Sequence, residues 1–230
     1  MNIETNQSRW KELYKIGAIT AILSEIILVF GIVAYFVYPF APGNISTEGI
    51  FMLLNKDKFG GLISLDFHLV LGNVFGILLF LALYISLKQV NESYALIALV
   101  LGLIADVLIF PARPISELFS LSGLYANATT EAVKNQYLAA GEALLLLFNG
   151  TSWFLNTLLG GFSLLISSLL MLRSNVFSKS TAIVGIVTNA AVCLFFIPKI
   201  GLLLLFLSLP GYMIWYFQLA RKFLKFSQGG

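Results

Sequence analysis

The sequence has few charged residues, a single histidine and a single cysteine. Only 11% of its 230 residues are charged, whereas 59% are hydrophobic. A soluble domain is about 25% charged and about 45–50% apolar, so a globule of this length would lack the charges to cover its surface. The net charge of +3 is too small for a nucleic-acid-binding surface. The composition excludes a soluble enzyme, a disordered chain and a nucleic-acid binder, and it predicts an integral membrane protein.

Side chains that bind metals or act as nucleophiles are equally scarce. The single histidine, His68, excludes any site that needs two histidines from one chain. The single cysteine, Cys193, excludes an intramolecular disulfide and a cysteine-based metal cluster. The sequence also lacks the Gly-x-Ser-x-Gly motif of serine hydrolases. We therefore predict no catalytic residue, no metal and no cofactor, and we favour a protein without enzymatic activity.

Long apolar runs fill most of the chain. A bilayer core of about 30 Å requires about 20 residues of helix. We predict an all-α, integral membrane helical bundle with six transmembrane helices, forming one domain over residues 1–230. The predicted spans are 16–38, 61–87, 94–110, 153–172, 181–197 and 200–218. Short connections such as Gln89 to Ser93 favour antiparallel neighbours.

The region from Glu131 to Leu172 leaves the number of spans open. Its pattern is helical throughout, with Thr129 or Thr130 as the N-cap. One continuous helix here would be about 63 Å long, twice the thickness of the hydrocarbon core. Either the fourth helix extends from residue 131 and projects out of the membrane, or it breaks near Asn149-Gly150. A break would give seven spans or a re-entrant half-helix.

The placement of lysine and arginine predicts the orientation, because cytoplasmic loops carry an excess of both. With six spans, nine basic residues lie on the inner side: Arg9, Lys11, Lys15, Lys88, Arg173, Lys179, Arg221, Lys222 and Lys225. Five lie on the outer side: Lys56, Lys58, Arg113, Lys134 and Lys199. This bias places both termini in the cytoplasm and the protein in the cell membrane.

Several segments together resemble a known family. They are "NISTEGIFMLL", "LALYISLKQVN", "YALIALVLGL", "LSGLYANATTEAVKNQYLAAGEALLLLFNGTSWF" and "LLMLRSNVFSKSTAIVGI". The chain resembles the prokaryotic membrane family catalogued as domain of unknown function 4386, from about Arg9 to Phe226. The most specific parts are Leu124 to Asn149 and the turn from Arg173 to Phe177. The resemblance implies a multi-pass helical membrane protein of bacteria or archaea, and it implies no activity and no functional residues.

Polar residues within the spans are the candidate functional residues, because ionisable groups at membrane depth are costly. The candidate ligand-binding residues are Glu25, Asp66, His68, Asn73, Asp106, Arg113, Glu142, Asn149 and Asn156. Residues seven apart share one helical face, as Asp66 and Asn73 do. Glu142, Asn149, Asn156 and Ser163 repeat at the same interval and would form a polar seam on a continuous helix.

The candidates predict a polar, acid-rich pocket among the second, third and fourth helices, in the outer half of the bundle. Such a pocket suits a small cation or polar ligand, so we expect a binding protein and possible transporter whose other partner is the lipid bilayer. Each candidate residue also has a purely structural interpretation. Asparagines commonly form hydrogen bonds between helices, and Asp106 and Arg113 can form a plain ion pair. A membrane-embedded enzyme acting on lipid or peptide and a regulatory protein without catalysis are the alternative functions, and the sequence leaves the oligomeric state open.

Overall fold

The computed structural model describes residues 10–40 and 43–228, and all the regular structure in these residues is helical. The α-helices are α1 (Lys11–Val37), α2 (Thr47–Lys56), α3 (Lys58–Ser64), α4 (Phe67–Leu87), α5 (Glu92–Ala112), α6 (Ile115–Ala126), α7 (Glu131–Leu145), α8 (Thr151–Arg173), α9 (Lys179–Cys193) and α10 (Gly201–Gln228). A 3-10 turn, Leu146–Asn149, lies between α7 and α8. The prediction of an all-α protein is confirmed for the described residues.

Within the described residues, five helical stretches are long and apolar enough to cross a membrane. They are Lys11–Val37, Phe67–Leu87, Glu92–Ala126, Glu131–Arg173 and Gly201–Gln228. The predicted span 181–197 corresponds to α9, which is apolar but has only 15 residues. Because a straight crossing takes about 20 residues, α9 is short for a span of its own.

Side-chain caps fix where the shorter helices begin. The Ser46 hydroxyl accepts a hydrogen bond from the backbone N–H of Gly49, and the Ser178 hydroxyl accepts one from Thr181. Thr130 caps α7 in the same way, and it is one of the two threonines that the sequence offered for this cap. Each cap satisfies one of the backbone N–H groups that the first turn of a helix leaves without a partner.

The second predicted span, 61–87, is wrong at its start. The backbone of Asp66 has φ 60, in the left-handed region, and this turn separates α3 from α4. Aspartate tolerates this conformation better than most residues. The apolar run from Gly61 therefore belongs to two elements, and the long helix begins at Phe67.

The helical region that begins at Glu131 breaks, so of the two alternatives left open by the sequence the structure has the break near Asn149-Gly150. The α7 helix ends at Leu145 and gives way to the 3-10 turn, and Gly150 has an extended backbone before α8 begins. A single helix of the full length is therefore excluded. At the C-terminal end, the last helix is longer than the predicted 200–218, because α10 continues through the basic segment to Gln228.

The described chain forms two compact units. Unit 1 consists of 10–28, 72–107 and 155–228. Its core is built from aromatic and aliphatic side chains that include Tyr14, Leu83, Met171, Trp215 and Phe223. These residues come from α1, α4, α8 and α10, and α5 and α9 add Ala95 and Ala182, so six helices contribute to the core of unit 1.

Unit 2 consists of 29–40, 43–71 and 108–154. It contains the short helices α2, α3, α6 and α7 and has a hydrophobic core of its own. The fully buried members of that core are Ile50, Phe51, Leu54, Leu65, Leu118 and Phe148. The short amphipathic helices of unit 2 are therefore packed against one another.

Candidate functional site

Unit 2 contains a buried ion pair between Arg113 and Asp66. The Nε of Arg113 donates to Oδ2 of Asp66 at 3.0 Å, and the two side chains are only 2% and 1% exposed. The Tyr35 hydroxyl donates to the other carboxylate oxygen, Oδ1, at 2.9 Å. Both oxygens of Asp66 therefore accept a hydrogen bond, and the charge has a buried counter-charge, as a buried carboxylate requires.

The remaining contacts of Arg113 join it to two further segments. Its Nη1 donates to the backbone carbonyl oxygens of Ala112 and Phe148, both at 3.0 Å. Its guanidinium lies over the rings of Phe148 and Trp153, with Cζ 4.7 and 4.5 Å from the ring centroids. Planar guanidinium groups stack well on aromatic rings. One side chain thus ties together the Asp66 turn, the end of α5 and the 3-10 turn.

The ion pair of Asp106 with Arg113, offered from the sequence as a structural alternative, does not form, because Arg113 pairs with Asp66. The two residues are seven apart, an interval that places side chains on one face only of a continuous helix. The α5 helix ends at Ala112, one residue before Arg113, so that interval no longer places the two side chains on one face. Pro114, which follows directly, is the N-cap residue of α6.

His68 lies beside the ion pair in unit 2 and is 3% exposed. Its ring meets the rings of Phe30 and Tyr35 edge-on, with centroids 6.0 and 5.7 Å apart. A Cβ added to Gly31 would lie 2.7 Å from Nε2, so the imidazole occupies the space that this glycine leaves. Neither ring nitrogen has a hydrogen-bond partner among the described residues.

Unit 1 contains a buried amide cluster. The Nδ2 of Asn156 donates to Oδ1 of Asn73 and to the backbone carbonyl oxygen of Ala105, both at 2.8 Å. Both hydrogens of this amide group are therefore used. The contacts connect α8 to α4 and α5, which is the structural role that the sequence offered as the alternative for both asparagines.

Asp106 lies next to this cluster in the sequence and differs from Asp66 in its partners. It is 7% exposed, and its Oδ2 has no hydrogen-bond partner among the described residues. Gly76 of α4 faces it, and a Cβ at that position would lie 2.6 Å from Oδ2. Buried polar atoms without a hydrogen-bond partner are rare in folded proteins.

The other predicted candidates are more accessible. Glu142 and Asn149 are exposed and Glu25 is half-buried, whereas Asn156 and Ser163 are buried. The proposed seam required a continuous helix, and the 3-10 turn interrupts it. Only the last two members belong to α8, where the Ser163 hydroxyl donates to the carbonyl oxygen of Ala98 at 2.5 Å.

Sequence reasoning missed three residues that shape these sites. Tyr35 and Trp153 have the positions of interfacial aromatic residues, and Gly76 has that of a helix-packing glycine, so nothing in their spacing indicated a role beside a charge. The described residues contain no group of three or more histidine, cysteine or acidic side chains placed to hold a metal ion. Comparison with protein-family models, curated proteins and solved structures gave no match for this chain.

Proposed function

We propose that this chain is a multi-pass protein of the cell membrane that binds a small cation at Asp106. In this proposal α9 is the fifth of six transmembrane helices, and both termini lie in the cytoplasm. The excess of lysine and arginine near the termini and in the connection from Arg173 to Lys179 supports this orientation. The residues named for the site have no catalytic role in this proposal.

The observation that carries the proposal is the unpartnered Oδ2 of Asp106. This atom lies on a helical stretch that is long and apolar enough to cross a membrane. No lysine or arginine occurs in 16–28, 72–87, 93–107, 155–172, 180–198 or 201–220, which are the apolar helical segments of unit 1. A buried carboxylate without a counter-charge is stabilised when it binds a cation.

The other carboxyl groups of the predicted pocket fit this role less well. Arg113 already supplies the counter-charge of Asp66, and both of its oxygens accept hydrogen bonds. Glu142 is exposed, so solvent or lipid headgroups can neutralise it. The sequence predicted a pocket that contains the carboxyl groups of Asp66, Asp106 and Glu142. We propose instead a site centred on one of them, Asp106.

Two wider proposals accompany the binding site. Transport is the stronger form of the same function, because an ionisable residue within a membrane helix is the kind of group that marks an ion or proton pathway. Membership of the prokaryotic family catalogued as domain of unknown function 4386 is proposed from Leu124 to Asn149 and from Arg173 to Phe177, as quoted above.

The binding proposal is tested by thermal unfolding of the purified protein in lipid nanodiscs, followed by tryptophan fluorescence. The series contains Li⁺, Na⁺, K⁺, ammonium, tetramethylammonium and a range of pH. A ligand present at about 100 times its Kd stabilises the folded state by about 2.7 kcal/mol. We expect one of these cations, with the proton counted among them, to stabilise the wild type, and Asp106→Asn to abolish that dependence.

Glu142→Gln provides the matched control, because it also removes one carboxyl group but from an exposed position. It should retain the wild-type dependence on the cation. The proposal fails if every cation and every pH affects the wild type and Asp106→Asn equally. It also fails if Glu142→Gln rather than Asp106→Asn abolishes the dependence, because the binding carboxyl would then lie on α7.

A further inference from the structure

We infer that the cation held by Asp106 is a single proton, so that this residue is a proton-binding site within the membrane. The inference rests on the proposed function and names its ligand class. Three features of the described residues carry it: the number of oxygen ligands near the carboxyl group, the space around Oδ2 and the absence of a counter-charge.

The surroundings of Asp106 offer few ligands for a metal ion. Hard cations such as Mg²⁺ and Ca²⁺ take six or more oxygen ligands. Two nearby oxygens, Oδ1 of Asn73 and the carbonyl oxygen of Ala105, already accept hydrogen bonds from Asn156. The described residues also contain no group of three or more histidine, cysteine or acidic side chains that could hold a metal ion. A proton needs only one oxygen, so it is the cation that this donor set can hold.

The space around Oδ2 leads to the same conclusion. A Cβ on Gly76 would lie 2.6 Å from Oδ2 and 2.9 Å from Oδ1, so the carboxyl group packs closely against the backbone of α4. This close packing leaves no space on the α4 side for a metal ion with its shell of ligands. A hydrogen on the carboxyl oxygen adds almost no volume and removes the buried charge.

The charged and titratable groups near Asp106 do not supply a counter-charge. The phenol of Tyr216 on α10 interacts electrostatically with the carboxyl group. On α4, the titratable residue between 72 and 87 is Tyr84, whose ring lies beside Lys88, and α8 has no titratable residue between 155 and 172. Glu25 on α1 is acidic as well. Protonation therefore neutralises Asp106: an O–H bond forms on binding, and on release the proton passes to water while the electron pair remains on the carboxylate oxygen.

Infrared difference spectroscopy tests the inference, because a protonated carboxyl group has a carbonyl stretch that a carboxylate lacks. The chain has three aspartates, Asp57, Asp66 and Asp106, so aspartate labelled with ¹³C at the side-chain carboxyl marks few groups. We expect one isotope-sensitive carbonyl band at neutral pH, without added metal ions. Asp106→Asn should abolish this band, and Asp106→Glu should replace it with one that the label no longer shifts.

Two further measurements distinguish the possible failures. If Na⁺, K⁺ or ammonium stabilises the wild type and removes the band, a cation displaces the proton; the proposed function then holds and the inference is wrong. If the wild type has no isotope-sensitive band at neutral pH and its stability follows no cation, both are wrong. These results are read from the wild type, so they do not depend on whether a variant folds.

Gly76→Ala tests the packing on which the inference rests. The added methyl group must displace the carboxyl group, so we expect the band to shift. Gly72→Ala is the matched control on the same helix, because its Cβ would have one ordinary contact, at 3.5 Å from Cγ2 of Ile27. A band that is equally unchanged in both variants would contradict the close contact of Asp106 with α4, and with it the inference.

Discussion

Asp66 and Asp106 show how two residues of one type, both buried, acquire different chemistry. Asp66 follows a short helix, adopts a left-handed backbone and accepts hydrogen bonds from Arg113 and Tyr35. Asp106 lies within a helix, and its Oδ2 has no partner among the described residues. The first arrangement supplies the partners that a buried carboxylate requires, and the second leaves one carboxyl oxygen without a partner among the described residues.

The Asp66–Arg113 pair should couple strongly in a double-mutant cycle. Asp66→Asn or Arg113→Met alone leaves the other charge buried without its counter-charge, which destabilises by about 3–5 kcal/mol. The double variant should recover part of this loss, with a coupling of about 1–3 kcal/mol. Thermal or denaturant unfolding of the four proteins, followed by tryptophan fluorescence, measures it.

The pair Lys134–Glu131 is a control of similar geometry. Its N–O distance is 2.9 Å, but the side chains are 34% and 82% exposed. Exposed pairs on one helix contribute about 0.3–0.5 kcal/mol. Equal coupling in the two pairs would show that Asp66 and Arg113 are solvated, contrary to their burial.

At the level of the helices, the interruptions determine which polar residues are buried. The 3-10 turn separates α7 from α8, and Arg113 donates to the carbonyl oxygen of Phe148 within this turn. A polar carbonyl oxygen that the irregular backbone exposes therefore receives a charged donor. Lipid cannot satisfy such groups, so an irregular segment at membrane depth depends on protein donors of this kind.

Asn156 is expected to stabilise the packing of α8 against α4 and α5. Asn156→Ala removes two hydrogen bonds and leaves Oδ1 of Asn73 and the carbonyl oxygen of Ala105 without this donor. We expect a loss of about 1–3 kcal/mol in the free energy of unfolding. Asn149→Ala, at the exposed end of the 3-10 turn, should change it by less than about 0.5 kcal/mol. If Asn149→Ala lowered the free energy of unfolding as much as Asn156→Ala, the prediction that only Asn156 stabilises helix packing would be wrong.

At the level of the whole molecule, the number of spans in the proposed membrane topology depends on α9. This helix has 15 residues, whereas the five other candidate stretches have 21 or more. If α9 crosses, six spans place both termini on one side. If α9 does not cross, five spans place the start of α1 and the end of α10 on opposite sides of the membrane. Arg221, Lys222 and Lys225 would then lie outside, contrary to the usual excess of basic residues in the cytoplasm.

Cysteine labelling of intact cells decides between these routes. In a Cys193→Ser background, a membrane-impermeant maleimide should label Glu131→Cys from outside. It should label Lys179→Cys and Lys225→Cys only after the cells are made permeable. All three positions are exposed in the structure, so access depends on the side of the membrane. Labelling of Lys225→Cys but not of Lys179→Cys in intact cells would contradict the six-span proposal.

The sequence by itself determined the all-helical class and the approximate position of the long apolar helices. It also narrowed the cap of α7 to Thr129 or Thr130, and it offered a break near Asn149-Gly150 as one of two alternatives. These features depend on local composition, on capping side chains and on length, all of which the chain expresses within a few residues. The sequence also identified Glu25, Asp66, Asp106 and Glu142 as costly charges, because so few charges occur in the apolar runs.

Only the tertiary structure decided which of those charges are satisfied. The partner of Arg113 is Asp66, 47 residues away in the sequence, and the helix ends at Ala112 and Ser64 are what bring the two together. Asp106 has no counter-charge among the described residues because the helix segments of unit 1 contribute glycine and amides instead of lysine or arginine. A sequence shows that a buried charge needs a partner, but the partner comes from a distant segment, and the fold alone determines which segments meet.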